Sequence, residues 1–265
     1  MKNSIKSLTT AIFLGTILCF IIASCKKKNT ATQETSSNNS NGSLMLHFHT
    51  NADTNEVDTY DKVYTMTGGR KISVSLAQLY VSGIQLVRTD GSIFDVSGLN
   101  ILKAMEIEQY LAGAVPSGNY KSIRFNVGLS PNTNTISPTS NDSIFNKPTM
   151  WFGNAAQPSG YVFVNFQGKI DTSANANGTV QQMQAFIYRI GTNTHLKDVM
   201  MPDQNFSIIP NQTQFLHIVV DYNKLFKGIK LNLLSNLNLY SLSDNAAALS
   251  NQIANNIPAM FSYEM

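Results

Sequence analysis

Apolar and polar positions alternate through most of this chain from residue 44 onward. Leu44, Leu46 and Phe48 fall on one side of a strand and Met45, His47 and His49 on the other, because successive side chains of a strand point to opposite faces. Lys71 to Leu76 repeats the pattern. Leu79 to Val87 follows, then Asp90-Gly91, a hairpin turn signal, with Ser92 to Val96 as the returning strand. Lys121 to Leu129 sets Ile123, Phe125, Val127 and Leu129 at period two, and residues 160–170, 180–191, 206–209 and 214–222 read as further strands. Residues 99–112 suggest a short helical turn. Residues 244–257 place Leu249, Ile253 and Ile257 at helical spacing, with Ser243 or Asp244 to cap the start and Pro258 to stop the run. The Asn-rich stretches 130–143 and 171–179 read as loops. Short strands separated by Gly, Pro and Asn turns predict an all-β antiparallel sandwich, Ig-like or jelly-roll-like, carrying one C-terminal amphipathic helix.

The first 43 residues follow another logic. Lys2 and Lys6 precede an apolar run from Ala11 to Ala23 that ends at Ile22-Ala23-Ser24-Cys25. A basic start, a short apolar middle and small terminal residues make a secretory signal, and the run is shorter than the ~20 residues a bilayer span needs. The stretch before Cys25 resembles a bacterial lipobox. It predicts cleavage after residue 24 and acylation of Cys25, with an uncleaved anchor or an ordinary secretory cut as the alternatives. Residues 25–43, lysine-rich and then Ser/Thr/Asn-rich, read as the lipidated cysteine and a flexible tether. Residues 44–265 would form one domain.

Cys19 and Cys25 are the only cysteines. Loss of one with the leader and acylation of the other excludes a disulfide, a thiolate metal site and a cysteine nucleophile. The formal charge of +3 falls by two when Lys2 and Lys6 leave, so no field recommends nucleic acid. HExxH, G-x-S-x-G and P-loop motifs are absent, and nothing marks a glycosidase acid–base pair. The expectation is a protein that is not an enzyme. Asp142-Ser143-Ile144 resembles the short O-glycosylation signal of Bacteroidetes, which marks Ser143.

The chemistry left is that of four histidines, ten methionines and one tryptophan. Imidazole and thioether are copper ligands. His47 and His49, two apart on one strand face, set their Cβ atoms roughly 6.5–7 Å apart and would converge on one ion given a further donor. His195, with Met200, Met201, Met150 and Trp151, would make a soft site. Each has a plainer reading: an exposed strand face for His47 and His49, a loop histidine for His195, a packing anchor for Trp151. His217, between Leu216 and Ile218, reads as structural. Asp53, Glu56, Asp58 and Asp61 offer oxygen ligands to a hard cation but lack an EF-hand pattern, and read as a solvated acidic loop.

The stretches KISVSLAQLYVSGIQLVRTDGS (71–92), VPSGNYKSIRFNVGLSPNTN (115–134), Met150-Trp151, GYVFVNFQGKI (160–170) and the terminal helix are together similar to MbnP-like copper-binding proteins. The resemblance covers almost everything from Leu44 on and is of a kind common among Bacteroidetes lipoproteins. It implies a β-sandwich outside the cytoplasm that binds copper through histidines and a tryptophan oxidised to kynurenine by a di-haem peroxidase-like partner. His49 matches the first-strand histidine of that pattern and Trp151 its tryptophan; His47 and His195 are the secondary ligand candidates. Where the family often shows a histidine before Ile-Gly or Leu-Gly, this chain has Arg189, which cannot ligate a metal. The expectation is a lipoprotein of the outer membrane, on its periplasmic side, that stores, scavenges or delivers copper. The alternative is a binding module for glycan or protein partners with a degenerate metal site.

Overall fold

Leu44, Leu46 and Phe48 are fully buried while Met45, His47 and His49 are partly exposed, as the alternation requires. In chain order the strands are β1 (Asn41–Ala52), β2 (Asn55–Glu56), β3 (Val63–Thr65), β4 (Lys71–Arg88), β5 (Ile93–Asp95), β6 (Ile101–Ala104), β7 (Gln109–Pro116) and β8 (Gly118–Val127). After them come β9 (Val162–Asp171), β10 (Met183–Gly191), β11 (Lys197–Met200), β12 (Phe206–Ile208), β13 (Thr213–Asp221), β14 (Asn238–Leu239) and β15 (Phe261–Tyr263), with, among the described residues, one α-helix, α1 (Ala248–Asn256), before β15. This computed structural model describes residues 40–138, 144–153 and 160–264. Cys25 and Ser143 lie outside the described residues.

The strands form two sheets. The first runs β15-β13-β1-β2, with β7 also on β1; the second runs β11-β8-β4-β9-β10-β14, with β12 on β8 and β3, β5 and β6 on β4. Their inner faces meet in one core, to which β1 gives Leu44, Leu46 and Phe48, β4 gives Leu79 and Val81, and β9 gives Val164 and Phe166. This is the expected sandwich, but its sheets are mixed. β1 runs parallel to β13, and β10 parallel to β14. A parallel pair needs a crossover, and the chain between β1 and β13 builds the second sheet on the way.

Three differences from the sequence reading have local causes. β1 begins at Asn41 and not at residue 44, because Asn41 and Gly42 pair with Pro116 and Val115; residues 39–265 form the compact unit. The two runs at 71–76 and 79–87 are one long strand, β4, bent by bulges against β9 and β8. Residues 99–112 are not helical but form β6 and β7. All four residues of β6 are buried, and a strand covered on both faces shows no alternation to read. Within it Lys103 is fully buried, donating from Nζ to Thr50 Oγ1 and to the Ala104 carbonyl.

A second apolar cluster lies on the outer face of the second sheet, where Tyr80, Tyr161 and Phe163 point away from the core. Met150, Trp151 and Phe145 cover them. α1 packs Ile253 into the main core, as its spacing predicted, but it begins at Ala248 with Ala247 at its cap, while Ser243 and Asp244 lie in a separate 3-10 turn.

Candidate metal centre

The parallel pairing of β1 with β13 sets His47 directly opposite His217. All three histidines on these strands stand on the outer face of the first sheet, since Phe48 and Ile218 point inward. Their ring centroids are 4.2 Å (His47–His49), 4.6 Å (His47–His217) and 5.6 Å (His49–His217) apart. Each of the three offers a ring nitrogen, and these nitrogens all lie within 4.8 Å of one another.

Three carboxylates border the cluster. Glu264 follows β15, which pairs with β13, and its amide donates to the His217 carbonyl. Its Oε2 lies 3.3 Å from His49 Nε2 and 3.1 Å from His217 Nδ1, and those two nitrogens are 3.3 Å apart. A point equidistant from three atoms so spaced is about 2 Å from each, the bond length of imidazole and carboxylate on a small divalent metal. Glu56 on β2 accepts at 3.2 Å from His49 Nδ1, and Glu108 before β7 lies 3.0 Å from His47 Nε2. A carboxylate on the far nitrogen fixes a histidine's tautomer and ring orientation, so Glu56 leaves His49 Nε2 as its coordinating atom. His47, whose Nε2 meets Glu108, offers a ring nitrogen within the same 4.8 Å.

His47 and His49 therefore lie together, as their spacing suggested, and the further donors they needed are His217 and Glu264. His217 is not a satisfied interior residue but a member of the cluster, with 43% of its side chain exposed. The sequence carried half of that signal: Leu216, Ile218 and Val220 alternate inward, which puts His217 outward. Its register against His47 is long-range and has no local trace.

Trp151 and His195 belong elsewhere. Trp151 is 4% exposed in the cluster on the outer face of the second sheet, edge-on to Tyr161 at 4.4 Å. Stacked sheets are about 10 Å apart, so an ion on the outer face of the first cannot also touch an indole on the outer face of the second. His195 is fully buried. Its Nδ1 is 2.6 Å from the Gly191 carbonyl and its Nε2 3.0 Å from Asn251 Oδ1. Both nitrogens face protein oxygens inside the fold, away from the three surface imidazoles. The soft cluster around it does not form either: Met200 is exposed, Met201 packs in the main core and Met150 in the outer one.

The acidic loop is not a shared cation site. Asp53 accepts from the Thr67 amide, Glu56 faces His49, and Asp58 meets Tyr64 at 3.1 Å and Lys62 at 3.7 Å. Hydrogen bonds from Thr59 and Tyr64 hold the Asp58 carboxyl below its usual range.

A family model described as MbnP matches residues 41–243. No curated protein gives a significant match. Among solved structures, MbnP from Methylosinus trichosporium is similar at 15% identity over 71% of this chain and 78% of that one, with a TM-score of 0.49.

Proposed function

The chain belongs to the MbnP family, and we propose that it is an extracytoplasmic, membrane-anchored copper-binding protein whose ion is held by His49, His217 and Glu264, with His47. The observation that carries this reading is the triangle of His49 Nε2, His217 Nδ1 and Glu264 Oε2, with edges of 3.1–3.3 Å. Nitrogen-rich donor sets bind Cu²⁺ most tightly of the first-row divalent ions. The residues present therefore fit copper, and they fit it better in its oxidised state than a thioether site would. Copper bound there would supply a redox-active, exchangeable ion at the protein surface. The chain's own contribution is to orient imidazoles, with Glu56 and Glu108 behind them, on a rigid sheet.

Storage, scavenging or delivery all suit a half-exposed surface site. Acylation at Cys25 would hold the domain at the outer membrane, on its periplasmic side. A di-haem peroxidase-like partner would act on Trp151, and its product would not touch this ion.

Equilibrium copper titration against a competing chelator tests the assignment, using the full chain in detergent with Cys25 acylated, so that no thiol competes. His49→Ala and His217→Ala each weaken binding at least tenfold. Trp151→Phe and His195→Gln leave it within twofold where they fold. Equal affinity in wild type and His217→Ala would refute the site and favour a binding module without metal.

A further inference from the structure

Arg189 projects from β10 on the outer face of the second sheet, away from the imidazoles, and is 7% exposed. Its guanidinium lies between two rings, 5.2 Å from the Phe152 centroid and 4.9 Å from that of Tyr240. Nη2 donates to the Trp151 carbonyl and Nη1, at 3.3 Å, to the Tyr240 carbonyl. Nε is buried and has no hydrogen-bond partner among the described residues. Among the described residues, no carboxylate acts on the group. A buried permanent cation without a counter-charge is costly. Two carbonyl dipoles and two ring faces offset only part of that cost.

The same guanidinium lines a recess of about 250 Å³ with Pro148, Thr149, Asn165, Gln167 and Tyr240. The amides there are committed to one another. Asn165 Nδ2 donates to the Thr149 carbonyl at 2.7 Å, Gln167 Nε2 to Asn165 Oδ1 at 2.8 Å, and Thr149 Oγ1 to Gln78 Oε1 at 2.8 Å. These bonds fix the walls and leave Arg189 as the group in want of a ligand. We infer that this recess is a carboxylate-binding site in which Arg189 pairs with the anion and Tyr240 and Pro148 cover its apolar body.

The chemistry selects the class. A guanidinium presents planar, paired donors that match a carboxylate. One cation neutralises a monoanion and leaves a sulfate or phosphate dianion uncompensated. The recess has room for a small body but not for a drug-sized one. The carboxylate is either that of a free small acid or the C-terminus of another chain.

Trp151, the only tryptophan, reports on the site, since its carbonyl is bonded to the guanidinium. The full chain in detergent is titrated with sodium acetate at ionic strength held constant by sodium sulfate, and Trp151 emission is followed. A short apolar peptide with a free or an amidated C-terminus is titrated in parallel. A saturable response to acetate supports the inference and identifies a free acid. A response to the free-terminus peptide alone supports it and identifies a chain terminus. No saturable response to either, or equal responses to both peptides, overturns it. Arg189→Gln shifts the midpoint at least tenfold. Should that variant fail to fold, wild type still decides: one of the four arginine Nε–H proton resonances moves saturably with the ligand, and none moving overturns the site. Copper affinity is read separately, so this outcome is independent of the imidazole site.

Discussion

Lys103 shows what one misplaced charge does to a sandwich. Burial among core residues pushes its ammonium down from 10.5 to about 7, against the pull of Glu108 and Glu106. Between pH 7 and 10.5 the unfolded chain therefore carries a proton that the native chain lacks, and native stability rises with pH across that window. A shift of this size corresponds to something on the order of 4–5 kcal/mol, at about 1.4 kcal/mol per unit. Burial raises the phenols of Tyr60, Tyr110 and Tyr188. Their unfolded counterparts ionise near pH 10 and reverse the trend there. Urea denaturation midpoints should climb from pH 7 to 9, and Lys103→Met should flatten that climb while raising the midpoint at pH 7. A wild-type midpoint that is level over this range would show the amine to be solvated. His195 is the contrasting residue. Its place between Gly191 and Asn251 makes it part of the fold, and the sequence offered no sign of either partner.

At the scale of elements, alternation was a sound guide wherever one face of a strand meets the core and the other does not. β1 and β13 were legible for that reason, as was the outward face that His47 and His49 share. β6 was not, because both of its faces are covered and its apolar run mimics a helical turn. The pairing of β1 with β13 was equally hidden: it brings His49 and His217 together from 168 residues apart, and nothing local records it. Glu264 escaped notice for the same reason, since its position depends on β15 returning to β13. A second constraint at this scale is the approach of β4 to β9. A methyl group at Gly168 would overlap the Ser73 carbonyl and press on Phe186. Gly168→Ala should cost about 2 kcal/mol or more through overpacking, read as a lowered thermal midpoint; an unchanged midpoint would mean the two strands part easily.

The whole molecule presents two outer faces with different chemistry. The face of the first sheet gathers imidazoles and carboxylates at the surface. The face of the second buries Trp151 and Arg189 beneath a covering segment. The family resemblance implied His49 and Trp151 as one ligand set, which the layered fold does not allow: a common core of two sheets lies between them. The copper assignment rests on the first face. Crystals of the copper-loaded chain, measured on either side of the copper absorption edge, would locate the ion by anomalous scattering. The expected result is a single strong peak about 2 Å from His49 Nε2, His217 Nδ1 and Glu264 Oε2. A peak beside Trp151, or none on the outer face of the first sheet, would contradict it.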